Sequence, residues 1–445
     1  FLTYLGLAEA GVGTATVVAL YTPLALKQTE EVNSILSATR KFYNKSGMLF
    51  LALTLVLIGV YPFFISGQLE NSLVRWMILV LAGSTLVDYF FLGKYRVLLT
   101  ANQEGYVVAL IQAAGTIVNM VVSIFLIYIG AGVLFVKAVA TGVYMLRLVL
   151  VKIYVKRKYP ALDFYAEPNE GALKQKNAAL LHQVVGIIVN NTDTTVLTIC
   201  LGAKSLLEVS VYGIYMMVNA VNQLMTSFSN GLTAGFGEVI AKNEEETLKK
   251  SYSSYEYMYF VIMFIVIACM GVLILPFVGV YTINLTDVQY VRPVLGILFT
   301  LIVFMQNVRI PGLTIICAAG HYKETRYQAI LEAVINITVS LGLVWKFGMA
   351  GVLLGTVCSY GYRSFEIVFY TSRHLVKGCA KKSMFRILRN VFTVAILCTV
   401  GTYVIPQEIT SFTTWFLYAI GMGLTSVFFV VVINYVVEPD EFMQL

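Results

Sequence analysis

Of 445 residues, 58% are hydrophobic and only 12% charged, with 31 Lys and Arg against 24 Asp and Glu for a net charge of +7. A soluble domain averages roughly 25% charged residues, so this chain cannot hide its apolar surface by folding alone, and a soluble globular domain is excluded. Uninterrupted apolar stretches of about 20 residues recur, long enough at 1.5 Å per residue to cross a hydrocarbon core of roughly 30 Å. Because they are continuous rather than alternating, they predict helices and not a barrel.

In chain order, about 13 spans are expected. The first covers Leu5 to Tyr21, followed by Ser46 to Ser66, Leu73 to Leu92, Tyr106 to Tyr128 and Ala131 to Tyr154. The next four are Ala179 to Leu201, Val209 to Ala241, Ser254 to Ile283 and Val294 to Ala319. Arg326 to Trp345, Met349 to Tyr370, Ile387 to Ile405 and Phe412 to Val437 complete the set.

Cytoplasmic loops hold most of the basic residues of a membrane protein. About 23 of the 31 Lys and Arg fall on one side, including Lys27, Arg40, Lys41 and Lys45, the group Lys152 to Lys176, and Arg373 to Arg389. Only Arg75, Lys204, Arg292 and Lys346 fall on the other. The phasing places the carboxyl terminus in the cytoplasm and residue 1 outside, which suggests that a first helix precedes this sequence. Topology therefore explains the basic balance, and nucleic acid is not an expected partner. Trp76, Trp345 and Trp415 fall at outer ends of spans, as interfacial anchors do.

Two halves of the chain echo each other. Ala131-Gly132-Val133-Leu134, Tyr144, Arg147, Tyr154 and Arg157 reappear as Ala350-Gly351-Val352-Leu353, Tyr360, Arg363, Tyr370 and Arg373. Upstream, Asn119 and Ser123 answer to Asn336 and Ser340. The expected organisation is an amino-terminal helical lobe at 1–157, a cytoplasmic linker at 158–178 with Pro160, Pro168 and Gly171, a second lobe at 179–375, and two additional helices at 376–445. Repeats of parallel orientation imply a pseudo-axis along the membrane normal and a substrate path between the lobes.

A charge inside a span costs about 2.5–3.5 kcal/mol unless paired or wetted, so the intramembrane charges are the first candidates for a site. Arg147 and Arg363 occupy matching places in the repeat and would offer bidentate hydrogen bonds to phosphate oxygens; the competing reading is snorkelling, or a pair of Arg363 with Glu366 one turn away. Arg309 stands beside Pro311-Gly312, where a helix is expected to kink. Asn190-Asn191-Thr192-Asp193 puts a carboxylate near the middle of a span, either a cation or proton site or a set of interhelical hydrogen bonds; Asp88 and Glu9 are weaker examples. Asn222, Gln223 and Asn230 mark a helix facing water or glycan, or a tight packing face. Lys137 is expected to reach headgroups and Glu256 to be solvated near a cytoplasmic end. The six cysteines have no metal-like spacing and read as small apolar residues rather than disulfides or ligands. No nucleophile triad, metalloprotease or ATP-binding motif is present, so neither an enzyme nor an ATP-driven pump is expected, and no metal or cofactor.

The segments Leu5 to Gly13, Ser34 to Tyr43, Asn191 to Thr195 and Leu232 to Gly237 resemble the polysaccharide-biosynthesis flippases of the multidrug/oligosaccharidyl-lipid/polysaccharide exporter superfamily. That resemblance implies an all-α polytopic membrane protein of 14 helices, two pseudo-symmetric six-helix bundles plus two carboxyl-terminal helices, with the first helix missing from this sequence. It implies translocation of undecaprenyl-diphosphate-linked oligosaccharide repeat units to the outer leaflet of a bacterial plasma membrane, by alternating access, for capsule, O-antigen or exopolysaccharide synthesis. Its implied partners are that lipid-linked oligosaccharide, membrane lipids, a polysaccharide polymerase and glycosyltransferases; a monomer is the expected state of a two-lobed carrier. Two alternatives stand beside it: a drug or cation antiporter of the same superfamily, whose cleft would rely on carboxylates, and a non-transporting scaffold for envelope assembly.

Overall fold

A computed structural model of the chain describes residues 12–64, 70–102, 104–169, 171, 176–202, 205–242, 244–321, 323–406 and 409–443. Among these residues the structure is helical, with no strand. Nine helical stretches among them are long and apolar enough to cross a membrane.

The chain packs as two units, 1–191 and 192–445. The first contains α1 (Val12–Ala25), α2 (Thr29–Phe64), α3 (Asn71–Val87), α4 (Gly93–Ala101), α5 (Gly105–Tyr128) and α6 (Val133–Lys158). A five-residue π-helical turn, Asp88–Leu92, joins α3 to α4. Helices α1, α2, α3 and α6 pack successively on one another, and α5 packs on α6. Leu20, Leu36, Tyr43, Phe50, Tyr89, Leu98 and Val151 form the apolar core.

Helix α7 (Lys176–Cys200) leads into the second unit, which continues with α8 (Ser205–Tyr215), α9 (Asn219–Ala241), α10 (Glu245–Tyr281), α11 (Pro293–Val308), α12 (Ile310–Ala318), α13 (Arg326–Phe347) and α14 (Met349–His374). The expected span from Val209 to Ala241 is broken by a short 3₁₀ turn, Met216–Val218, between α8 and α9. Helices α15 (Ala380–Val404), α16 (Phe412–Val437) and the short α17 (Pro439–Phe442) follow. Both α15 and α16 pack against α10, so the two helices outside the repeat are attached to the second unit. Its core gathers Tyr215, Tyr259, Phe260, Phe264, Phe299 and Leu353.

The internal echo is visible in equivalent hairpins. Helices α5 and α6 turn through Gly130 at φ 80°, and α13 and α14 turn through Gly348 at φ 57°. A side chain on either residue would clash with the left-handed backbone that lets the apolar helices reverse so tightly. Arg147 lies on α6 and Arg363 on α14, Asn119 on α5 and Asn336 on α13.

Candidate functional site

Polar side chains on α11 to α14 build a buried ionic cluster. Helix α11 ends at Arg309, and Pro311 opens α12 within its first turn, where its missing N–H is tolerated. This break places Arg309 beside α13, and Arg309 Nη1 donates to Glu332 Oε1 at 2.5 Å. The other carboxylate oxygen, Oε2, stands 3.6 Å from Arg363 Nε, and Arg363 also donates through Nη1 to Glu366. The Arg309 guanidinium lies 4.5 Å from the Tyr360 ring centroid, which adds a cation–π contact. Two arginines and two glutamates cancel, so the cluster has no net charge.

Glu332 is the residue sequence reasoning missed. It sits inside the apolar run from Ala329 to Val334, and the cost argument applied to the arginines would have singled it out as well.

A second cluster centres on Asp193, 4% exposed on α7. Thr356 Oγ1 donates to Oδ1 at 2.8 Å and Tyr212 OH donates to Oδ2 at 3.2 Å. Asn336 Nδ2 donates to Thr356 Oγ1 at 3.0 Å, while the buried Asn336 Oδ1 has no hydrogen-bond partner. Ser340 Oγ donates to the Val352 carbonyl at 3.1 Å. Among the described residues Asp193 makes no ion pair. The arrangement is a buried carboxylate that accepts from two hydroxyls, one of which accepts in turn from the Asn336 amide.

The third arrangement is an amide ladder. Asn222 Nδ2 donates to Gln306 Oε1 at 2.7 Å, Asn307 Nδ2 donates to Asn222 Oδ1 at 2.6 Å, and Tyr259 OH donates to Asn307 Oδ1 at 2.8 Å. Gln223, the next residue on α9, is exposed instead. Glu9 and the side chain of Asn230 lie outside the described residues.

In the first unit, Arg147 Nη2 donates to Thr116 Oγ1 at 3.1 Å, and the guanidinium lies 5.4 Å from the Tyr144 ring. Its Nε is buried without a partner, and among the described residues no carboxylate pairs with it. The room comes from Gly115, where a Cβ would stand 2.2 Å from Arg147 Nε. Asp88, at the start of the π turn, accepts from Arg96 Nη1 at 2.8 Å through Oδ2, while Oδ1 is unpartnered.

One expectation is corrected. Glu256 is not solvated but 2% exposed, because Arg386 of α15, itself 1% exposed, reaches it. Arg386 also contacts Glu438 and the Ser253 carbonyl, and Arg389 pairs with Glu438 at 2.9 Å. All six cysteines are free.

The fold is similar to that of solved MATE transporter structures. An inward-facing structure of a multidrug resistance MATE family transporter matches at a TM-score of 0.65 with 14% identity, over 89% of this chain and 88% of that one. An outward-facing structure of a multidrug resistance MATE family transporter matches at 0.58 with 16% identity, over 89% and 86%. The Vibrio cholerae MATE transporter VcmN in its bent form matches at 0.56 with 12% identity, over 89% and 87%. No family model matches the chain, and no curated protein does.

Proposed function

We propose that this protein moves an undecaprenyl-diphosphate-linked oligosaccharide repeat unit from the cytoplasmic to the outer leaflet of a bacterial plasma membrane by alternating access. The observation that carries this reading is Arg147, an intramembrane guanidinium with a hydroxyl partner but no carboxylate among the described residues. A group held in that state is suited to an anionic ligand, because a phosphate oxygen would supply the missing charge and acceptor. Its repeat mate Arg363, with Arg309, is neutralised by Glu332 and Glu366. In the second unit a diphosphate would therefore have to compete with carboxylates, which makes Arg147 the principal anion contact. Outward movement of negative charge is downhill across an inside-negative membrane, by roughly 2.3 kcal/mol per charge per 100 mV.

Asp193 supports a coupling role for a cation or proton, since its carboxylate is buried with oxygen-bearing neighbours and no basic partner among the described residues. The same group, together with the MATE-type fold, favours the second reading, antiport of a drug or cation. Depletion of the protein followed by extraction of lipid-linked sugars separates the two. Flipping predicts build-up of one intact repeat unit on the cytoplasmic leaflet, and the same build-up when Arg147→Ala replaces the native protein at normal expression. Antiport predicts no build-up, with drug sensitivity that follows Asp193→Asn instead.

A further inference from the structure

At the end of the first unit expected to face the cytoplasm, basic side chains divide into two groups. Arg96 is matched with Asp88 at 2.8 Å, and Lys158 with Glu104 at 2.9 Å. Arg40 on α2, Lys94 on α4 and Lys152 on α6 are not matched; among the described residues none of the three makes an ion pair. Arg40 and Lys94 nonetheless meet the adjacent rings of Tyr165 and Phe164, and Lys152 of α6 adds its charge to the field at Lys94. Three like charges from three helices repel one another, so their approach without a carboxylate is unfavourable until an anion joins them.

Aromatic residues of the segment after α6 lie against two of these cations, Lys94 and Arg40. Lys94 Nζ lies 5.2 Å from the Tyr95 ring and 5.4 Å from that of Phe164, and those two rings meet edge-on at 5.2 Å. The Arg40 guanidinium stacks 3.7 Å from the ring centroid of Tyr165. Stacking occupies the face of a guanidinium and leaves its N–H edge for in-plane acceptors; Arg40 Nε is buried with no partner. Two clips fix the segment: Asp163 N donates to Asn33 Oδ1 at 3.0 Å, and Asn169 N donates to the Ser34 carbonyl at 3.3 Å. Asp163 itself is turned to the Tyr165 backbone N–H, 2.8 Å away.

We propose that Arg40, Lys94 and Lys152, walled by Phe164 and Tyr165, form a phosphate-binding site at this end of the first unit, separate from Arg147. The ligand is a phosphate-bearing group, from an anionic phospholipid headgroup or from a diphosphate. This site does not depend on flippase activity.

The test is calorimetric titration of the purified chain in phosphatidylcholine nanodiscs with inorganic pyrophosphate at fixed ionic strength. Saturable binding is expected. The pair Lys94→Gln/Lys152→Gln should weaken it at least about ten-fold, and Arg40→Lys, which keeps the charge but loses the fork, several-fold. The charge-matched pair Lys249→Gln/Lys250→Gln, exposed in the second unit, should leave it within two-fold. Thermal unfolding of each variant shows that it is folded, and Arg40→Lys decides the matter if the double variant is not. Repeating the titration with phosphatidylglycerol in the discs identifies the source. A headgroup occupant lowers apparent pyrophosphate affinity in the native chain but not in Lys94→Gln/Lys152→Gln; a diphosphate ligand leaves it unchanged. No binding by the native chain, or equal loss in both double variants, overturns the proposal.

Discussion

Glu256 and Arg386, on helices α10 and α15, meet at 3.1 Å with their side chains almost wholly buried. Arg386 carries the same network to Glu438 at 3.1 Å, and its Nη1 also donates to the Ser253 carbonyl at 3.0 Å. The pair therefore fastens both helices outside the repeat to the longest helix of the second unit. Removing one partner of a buried pair leaves an uncompensated charge and costs about 3–5 kcal/mol, whereas replacing both with apolar residues of similar volume is often neutral. Arg386→Ala and Glu256→Ala should each lower the melting temperature of the detergent-solubilised protein substantially. The double replacement Glu256→Leu/Arg386→Met should recover most of the loss. A double variant that melts lower than either single one would show that the pair does not act as a unit.

Glu332 holds two guanidinium groups at once, Arg309 at 2.5 Å and Arg363 at 3.6 Å. Among the described residues Glu366 holds only Arg363. The asymmetry gives an order: Glu332→Ala should destabilise by about 3–5 kcal/mol, and Glu366→Ala by clearly less. Comparing the two melting curves checks it. Adding Arg309→Met to Glu332→Ala should restore part of the stability, since the guanidinium left without a carboxylate is then gone while Arg363 keeps Glu366.

The helical class, the positions of most spans and the repeated hairpin were legible because they follow from continuous apolar runs and from residue types recurring at fixed spacing. Partnership was not legible. Arg147 and Arg363 read as equivalents in the sequence, yet one has a threonine hydroxyl and the other two carboxylates, because α13 carries Glu332 where no acid occupies the corresponding stretch of α5. Glu256 looked solvated for the same reason: its partner is 130 residues away, on a helix with no counterpart in the repeat. Asp193 was identifiable from its place in an apolar span, but Thr356 and Tyr212 were not, since a hydroxyl inside a helix can satisfy itself on its own backbone and gives no signal of a distant acceptor.

Glu104 supplies a pH-dependent contribution outside the spans. Burial acts to raise its carboxyl, but hydrogen bonds from Tyr159, Lys158, Tyr154 and Asn102 outweigh it and hold it below the usual glutamate range. A carboxyl depressed in the folded state stabilises above its unfolded value, about 4.3, and that stabilisation is lost as pH falls through the lower folded value. Stability of the first unit should thus decline with acidification below about pH 4.3. In Glu104→Gln the acid-dependent part of that decline should shrink, with lower stability already at neutral pH. Melting temperatures of both proteins between pH 7 and 3 check this; parallel curves would contradict it.

Gly355 determines how closely α14 approaches α13. A Cβ there would stand 2.2 Å from Ser340 Oγ and 2.7 Å from the Ser340 backbone nitrogen. The first atom could rotate away, but the second belongs to a helix backbone and cannot. Gly355→Ala should therefore push the helices apart rather than merely crowd a side chain, at about 1–3 kcal/mol for overpacking. Thr356 is the next residue, and its hydroxyl links Asn336 to Asp193 at 3.0 and 2.8 Å, so separation of the helices loosens both hydrogen bonds. If Asp193 couples an ion, Gly355→Ala should weaken the dependence of transport on that ion even where the variant folds and inserts. The control is Gly361→Ala on the same helix, where an added Cβ meets nothing within 4 Å; it should leave melting temperature and ion dependence unchanged.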